Sequence, residues 1–201
     1  MRTPAPRFAL TFVHRVSRAR GNELAASLWA FVYFFALLAS YYVLRPIRDE
    51  MAVEAGQARL QELFTALFVT MLVIVPVFGA LTARFPRKRL LPWIYAFFIL
   101  DLAGFWVLFT ASERQAPLVA TAFFVWVSVF NLFAVSVFWS LMADLFDTAQ
   151  AKRLYGFIAA GGTAGALAGP SLTAIFETIA GVRGMLIVSA GFLALAVLAN
   201  V

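Results

Sequence analysis

The chain consists of six long apolar runs separated by short charged connections, and this succession restricts the folds that it can adopt. A helix that crosses the hydrocarbon core of a bilayer needs roughly 20 apolar residues. Runs of about that length predict helices at 24–45, 63–83, 90–110, 118–142, 154–176 and from 184 onward. Charged residues make up only 13% of the chain, whereas a soluble domain has about a quarter. We therefore predict an all-α transmembrane bundle of six helices.

The two ends of the chain frame this bundle. Residues 1–23 carry five arginines against one acid, Glu23. They are predicted to form a basic cytoplasmic tail, either as an interfacial helix or as a segment that only fixes orientation. Residues 24–201 form the bundle. The last run reaches Val201 after only about 18 residues, so we expect the chain to stop inside its sixth helix.

The lysines and arginines predict which side of the membrane each connection faces. If the N-terminus is inside, the inner segments hold eleven basic residues and the outer segments hold five. Inner connections carry the excess of basic residues in membrane proteins. The sequence therefore predicts an integral membrane protein with its N-terminus inside. The net charge of +6 follows from this topology rather than from nucleic-acid binding.

Several classes of function are excluded by the residue types that the sequence lacks. It contains no cysteine and a single histidine, His14. Disulfides, thiolate metal sites and histidine clusters are thereby ruled out. No nucleophile–base pair, phosphate-cradling loop or nucleotide-binding fingerprint is present. We therefore predict no enzymatic activity, no metal and no cofactor.

A charged stretch, Tyr41–Glu50, follows the first apolar run and contains two arginines and two acids. Four side chains share one face of the predicted helix: Tyr33, Tyr41, Arg45 and Arg48. The fork of donors on an arginine matches phosphate or carboxylate, so this face is predicted to bind a small anionic solute. The alternative is a set of interfacial anchors whose charged ends extend to water. Pro46 predicts a kink or the end of the helix.

Two polar residues inside later apolar runs are further candidates. Asp101 lies near the middle of the third run, where a carboxylate costs roughly 2.5–3.5 kcal/mol on insertion scales. It is predicted to couple protons or to balance an arginine, or alternatively to form a structural hydrogen bond. Asn131 in the fourth run is predicted to contact the solute or to hold two helices together.

The inner connections supply candidates for a gate. Opposite charges flank the connection between helices four and five, and the connection between helices two and three is basic. The gate candidates are Arg84, Arg87, Asp144, Asp147, Lys152 and Arg153. Such a pattern fits a gate that closes by salt bridges, and it equally fits ordinary loops. Glycines at four-residue spacing in helix five, Gly161, Gly165 and Gly169, predict close packing against another helix.

Six helices with a basic second connection resemble one half of a major facilitator superfamily transporter. The stretch Gly79–Lys88 is similar to the superfamily motif Gly-x-Leu-x-Asp-Arg-x-Gly-Arg-Lys/Arg. It differs at Ala83, where the motif has Asp, and at Pro86, where it has Gly. The stretch Gly165–Pro170 is similar to the Gly-x-x-x-Gly-Pro motif of antiporters and exporters in that superfamily.

A narrower resemblance is to the ATP/ADP antiporters of plastids and intracellular bacteria. Leu44–Asp49 is similar to that family's Leu-Arg-x-x-Lys-Asp stretch, and its transport-related basic residue would fall on Arg48. Phe138-Trp139 together with Gln150–Tyr155 is similar to the family's Phe-Trp and Glu-Ala-Lys-Arg-Phe-Tyr segments. The family's acid in helix four has no counterpart here, and Asn131 is the nearest polar residue.

The resemblance implies the N-terminal half of a twelve-helix carrier in a bacterial inner membrane. It implies secondary transport of an anionic, phosphate-bearing or nucleotide-like solute by alternating access, through antiport or proton coupling. The expected partners are the lipid bilayer, the solute and a missing C-terminal half-bundle or second copy, with no nucleic acid. The alternatives are an exporter of amphipathic compounds and a non-transporting membrane scaffold or sensor.

Overall fold

The structure is a computed structural model that describes residues 23–54, 57–85, 87–111 and 117–199. They form five helices and, within those ranges, no strand: α1 (Leu24–Glu54), α2 (Gln57–Arg84), α3 (Arg87–Ala111), α4 (Pro117–Leu145) and α5 (Thr148–Ala199). All five are long and apolar enough to cross a membrane. The predicted all-α architecture of long apolar helices is confirmed, and it is that of an integral membrane protein.

The last helix, α5, contains one residue that is not helical. Gly181 has φ 61° and ψ −177°, in the left-handed region that favours glycine. This residue divides α5 into an N-terminal arm, 148–180, and a C-terminal arm, 182–199. The sequence predicted two separate helices for this region, at 154–176 and from 184 onward.

The N-terminal arm of α5 runs parallel to α1 at very close range. A Cβ atom on Gly161 would lie 2.5 Å from the carbonyl oxygen of Phe31, and one on Gly169 would lie 2.6 Å from the Cβ of Tyr42. Residue numbers therefore rise together along the two helices. A real Cβ atom does not fit at such distances, so the two helices can approach this closely only because these positions are glycine. The predicted close packing of the glycine face is confirmed.

The C-terminal arm of α5 runs in the opposite direction along α1. The Phe192 ring packs against that of Phe35, with centroids 6.2 Å apart. The Ser189 hydroxyl is 2.9 Å from that of Ser40. Residue numbers fall on one helix as they rise on the other, so the chain turns back on itself near Gly181.

Contacts between aromatic rings, together with the cation–π contact of Arg48, give the directions of the remaining helices. Along α4, the partners from α1 and α3 fall in residue number, whereas the partners from α2 rise. The pairs are Phe34–Phe138 and Arg48–Phe124 for α1, Phe98–Phe130 and Phe105–Phe123 for α3, and Phe64–Phe124 and Phe78–Phe133 for α2. Both α1 and α3 therefore run antiparallel to α4, and α2 runs parallel to it, as in an up-and-down bundle.

Prolines lie inside four of the helices without ending them. α1 continues through Pro46 to Glu54, so the predicted boundary near residue 45 is wrong. The others are Pro76 in α2, Pro92 in α3 and Pro170 in α5. Membrane helices tolerate proline because neighbouring groups satisfy the freed backbone atoms. The consequence for the charged stretch is that both arginines lie on regular helix.

Candidate functional site

Arg48 is held in a fixed position between α1 and α4. Its Nη1 donates a hydrogen bond of 3.1 Å to the Ser128 hydroxyl. Its guanidinium carbon lies 5.2 Å from the centroid of the Phe124 ring. The Ser128 hydroxyl in turn donates to the Phe124 carbonyl oxygen at 2.8 Å. One hydrogen bond and one cation–π contact therefore orient a side chain that is only 16% exposed.

The carboxylate of Asp49 is shared by two arginines. Its Oδ1 accepts hydrogen bonds from Nε and Nη2 of Arg48, at 2.9 and 2.6 Å. Its Oδ2 lies 3.6 Å from Nε of Arg45, whose guanidinium also lies over the Tyr42 ring. Two guanidiniums face one carboxylate, so these three groups keep a net positive charge. We call Arg45, Arg48 and Asp49 the arginine cluster.

The structure brings together only part of the predicted solute-binding face. Tyr41 is buried one turn before Arg45, and its ring contacts that of Tyr42. Tyr33 lies about 22 Å along the helix axis from Arg48, given a rise of 1.5 Å per residue. Its buried hydroxyl hydrogen-bonds that of Tyr95 on α3. Tyr33 therefore does not belong to the arginine cluster.

Tyr33 borders a cavity of about 360 Å³ near the start of α1. The cavity lies between α1, α4 and the C-terminal arm of α5. Its lining is apolar or aromatic: Ala26, Trp29, Ala30, Tyr33, Leu141, Met142, Leu145, Leu198 and Ala199. Such a lining favours an apolar group over an anion.

Asp101 contacts an aromatic cluster between α3 and α4. Its Oδ2 accepts a hydrogen bond of 2.9 Å from the indole Nε1 of Trp126. The Trp126 ring stacks on Phe130, with an interplanar angle of 11°. Within the described ranges, no arginine or lysine forms a salt bridge with Asp101. The observed contact matches the alternative of a hydrogen bond between neighbouring helices.

The other polar candidate on α4, Asn131, is partly buried. It lies three residues beyond Ser128, which does bind Arg48. Its side chain makes no hydrogen bond to the residues that the structure describes. The solute-contact and packing interpretations of Asn131 both stay predictions.

Asp147 caps the N-terminus of α5. Its Oδ1 accepts hydrogen bonds of 2.8 Å from the backbone N–H groups of Ala149 and Gln150. The side chain of Gln150 accepts from the backbone N–H of Asp147 at 3.0 Å. These reciprocal bonds form a capping box, which fixes where α5 begins.

Arg153 joins the start of α5 to the start of α1. Its Nη1 and Nη2 each donate a 2.9 Å hydrogen bond to one oxygen of Glu23. Gln150 also donates to Glu23, at 3.2 Å. A paired guanidinium and carboxylate with two parallel bonds is a strong and directional contact. We call this arrangement the Glu23–Arg153 clasp.

The other gate candidates are peripheral. Asp144 and Lys152 are exposed near the connection between α4 and α5, and Arg84 is exposed in the last turn of α2. Arg87 begins α3, but its side chain lies outside the part of the chain that the structure describes. A gate formed by these residues stays a prediction.

Several contact residues had no role in the sequence interpretation. They are Glu23 in the clasp, Phe124 beside Arg48, Tyr95 beside Tyr33 and Ser189 beside Ser40. The sequence carries a local signal for two features: the capping motif Asp147-x-x-Gln150, and Ser189 as a polar residue within an apolar run. Glu23 and Tyr95 are contacts across many residues of chain, and neither carries a local signal.

The fold and the site define an integral membrane protein of long apolar helices with a partly buried arginine cluster. The chain matches no protein-family model, no curated protein and no solved structure.

Proposed function

We propose that this chain is one half of a secondary carrier that moves an anionic, phosphate-bearing solute across a membrane by alternating access. The observation that carries the proposal is the position of Arg48. Arg48 lies in the last two turns of the candidate span Leu24–Val53, and its guanidinium is bound to groups of α4 rather than extended into water. The surplus positive charge of the arginine cluster suits an anion.

The arrangement of Arg48 argues against a role as a simple membrane anchor. An anchoring arginine extends its charged end into water. The guanidinium of Arg48 is instead directed at Ser128 and Phe124 on α4, and its side chain is 16% exposed. Arg45, at 46% exposure, fits either an anchor or a second ligand for the anion.

The alternation of helix directions supports six membrane passes, with the two arms of α5 counted as two. The starts of α1, α3 and α5 then lie at the same end of the bundle as the ends of α2 and α4. Among the described residues, this end carries six basic positions, against four at the other end: Arg84, Arg87, Lys88, Arg89, Lys152 and Arg153 against Arg45, Arg48, Arg59 and Arg183. The positive-inside rule therefore favours a cytoplasmic N-terminus.

Phosphate is favoured over other anions by the similarity of Leu44–Asp49 to the ATP/ADP antiporters. That resemblance extends the proposal to nucleotide-like solutes in a bacterial inner membrane. A second half-bundle or a second copy would complete the cavity, because carriers of this kind bind solute between two halves.

The experiment is counterflow in proteoliposomes that contain the full-length parent protein. Vesicles are loaded with ADP, labelled ATP is offered outside, and uptake is compared with that of Arg48→Ala. We expect uptake to fall at least about tenfold, because a lost charge-assisted hydrogen bond corresponds to roughly 1.5–3 kcal/mol. The matched control is Arg59→Ala, which removes an exposed arginine from α2.

Two outcomes contradict the proposal. One is exchange that survives Arg48→Ala with unchanged affinity. The other is the absence of exchange for ATP, ADP and inorganic phosphate alike in folded protein. A comparable loss in the Arg59→Ala control would show only that uptake depends on total charge.

Coupling to protons is proposed to involve Asp101. The test is uptake by Asp101→Asn in the presence and absence of a pH gradient. Uptake that depends on the gradient in the parent protein and not in the variant supports coupling. If uptake depends neither on the pH gradient nor on Asp101→Asn, the role of Asp101 is its hydrogen bond with Trp126, and transport is by antiport without protons.

A second candidate function is export of amphipathic compounds. The specific observation in its favour is the apolar cavity beside Trp29 and Tyr33. Export of a cationic dye from cells, lost on Trp29→Ala and retained on Arg48→Ala, would favour this function over anion transport.

A further inference from the structure

We propose that Asp49 is a resident counter-anion, which occupies the two arginines until the transported anion displaces it. This inference rests on the proposed function, because it assigns a role within the same site. In this arrangement Asp49 sets the apparent affinity of the site, while Arg45 and Arg48 supply the attraction.

The geometry of Asp49 is unusual for a helix. Side chains at adjacent positions do not normally face each other, whereas those three or four apart do. Asp49 nevertheless accepts two hydrogen bonds from its neighbour Arg48, and it also lies within salt-bridge distance of Arg45, four residues earlier. The carboxylate therefore lies where both guanidiniums can be reached at once.

Exposure places Asp49, together with Arg45, on the solvent side of Arg48. The Asp49 side chain is 48% exposed, whereas that of Arg48 is 16% exposed. An anion that approaches Arg48 from solvent therefore meets the edge that Asp49 now occupies. Arg48 presents Nε and Nη2 on this edge, and these are the two atoms that Asp49 binds.

Release of Asp49 leaves Arg48 in place. The Ser128 hydroxyl binds Nη1, and the Phe124 ring lies against the guanidinium, and neither contact involves the carboxylate. The fork of donors therefore stays oriented when its Nε and Nη2 are vacated. A site that is organised before binding loses less affinity to the ordering of its side chains.

The contact is weak enough to be exchanged. The Asp49 carboxylate is 48% exposed, and both bonds from Arg48 go to its single oxygen Oδ1 rather than to two oxygens in parallel, so water and salt screen this pair more than they would a buried bidentate one. A solute can bind only during the fraction of time in which Asp49 has released the arginines. Its apparent affinity is therefore its intrinsic affinity multiplied by that fraction. Removal of the carboxylate therefore raises the apparent affinity.

The test is equilibrium binding of labelled ATP to the full-length protein in lipid nanodiscs. We expect Asp49→Asn to bind about two- to fivefold more tightly than the parent protein, the range that a solvent-screened ion pair allows. The matched control is Glu50→Gln, which removes the same charge from the next position. It is expected to leave the affinity within about twofold, because Glu50 is exposed and its charge is screened by water and salt.

The outcomes separate this inference from the proposed function. Binding to the parent protein that Asp49→Asn leaves unchanged or weakens contradicts the role of Asp49 and leaves the anion site standing. Equal tightening by Glu50→Gln also contradicts it, because the effect would then be general electrostatics. No binding of ATP by any variant, Asp49→Asn included, contradicts both proposals.

Discussion

The interface between α1 and α5 differs sharply from the surroundings of α2. Backbones of α1 and α5 approach so closely that a Cβ on Gly165 would lie 2.3 Å from the Phe35 carbonyl oxygen. A Cβ on Gly79 of α2 would meet nothing within 4 Å. Half of the spanning segment of α1 is buried, against 6% for α2. Helices α1 and α5 are therefore tightly packed against each other, whereas α2 packs against the bundle along one side only.

Hydrogen bonds between side chains and backbone also join α1 to α5. Ser40 and Ser189 each donate to the other's backbone carbonyl oxygen at 2.9 Å. Thr173 on α5 donates to the Val43 carbonyl oxygen at 3.0 Å. These polar contacts lie within apolar helices, where unmatched groups are costly. The arginine cluster therefore extends from a firmly packed helix, whereas α2 presents an apolar surface that lipid tails can cover without loss.

The largest expected effect comes from Gly165→Ala. The added methyl group would collide with backbone atoms of α1 that cannot move aside singly, so the helices must separate. Overpacking of this kind costs about 1–3 kcal/mol. The thermal unfolding midpoint in detergent should fall clearly. Gly79→Ala on α2 is the matched control, and it should leave the midpoint unchanged or raise it, since alanine favours helix. Equal loss in both variants would remove the distinction between the two regions.

An intermediate effect is expected from the serine pair. Ser189→Ala removes a donor and leaves Ser40 with one partner fewer, and hydrogen bonds between membrane helices average about 0.6 kcal/mol. Each hydroxyl donates its one proton to a backbone carbonyl oxygen that alanine keeps, so the losses from Ser189→Ala and Ser40→Ala should add in the unfolding free energy of the double variant. Clear coupling between the two changes would contradict this, because it would mean that the hydroxyls bond each other rather than the two carbonyl oxygens.

The smallest effect is expected on α2. Leu72 is 64% exposed, so Leu72→Ala removes almost no protein contact and should change the unfolding free energy by less than about 0.5 kcal/mol. Leu167 on α5 is the control, because it is 70% exposed on the firmly held helix. If Leu72→Ala lowers the unfolding free energy while Leu167→Ala does not, the exposed face of α2 packs against further protein rather than lipid.

Much of the fold could be predicted from the sequence because apolar length alone specifies a membrane helix. The helix boundaries were less predictable. Pro46 predicted a kink or the end of the helix, but α1 continues past it to Glu54. The start of α5 was placed at 154, although the capping box of Asp147 and Gln150 sets it at Thr148. Here the local signal was present in the sequence.

The site was predictable only where its residues are neighbours in sequence. Arg45 and Arg48 lie together as their spacing on one helix predicts, and Asp49 is adjacent. Ser128 and Phe124 come from another helix, and their contact with Arg48 depends on how α1 and α4 pack. Periodicity assigns residues to a face of one helix, but it does not identify the helix that the face meets.

The measurement that most directly tests the central claim, that the arginine cluster binds the transported anion, is solute protection of a single thiol. These 201 residues contain no cysteine, so Asp49→Cys introduces a single thiol into this half, in a protein whose other cysteines, if present, are replaced by serine. A membrane-impermeant thiol reagent is applied to cells with and without ATP, with Val53→Cys, exposed at the same end of α1, as control.

We predict that ATP slows labelling at position 49 and not at position 53. Protection should also disappear when Arg48→Ala is added. Labelling of Asp49→Cys at the same rate with and without ATP, in protein that still exchanges nucleotide, would contradict the account, because the solute would then pass without contacting the arginine cluster.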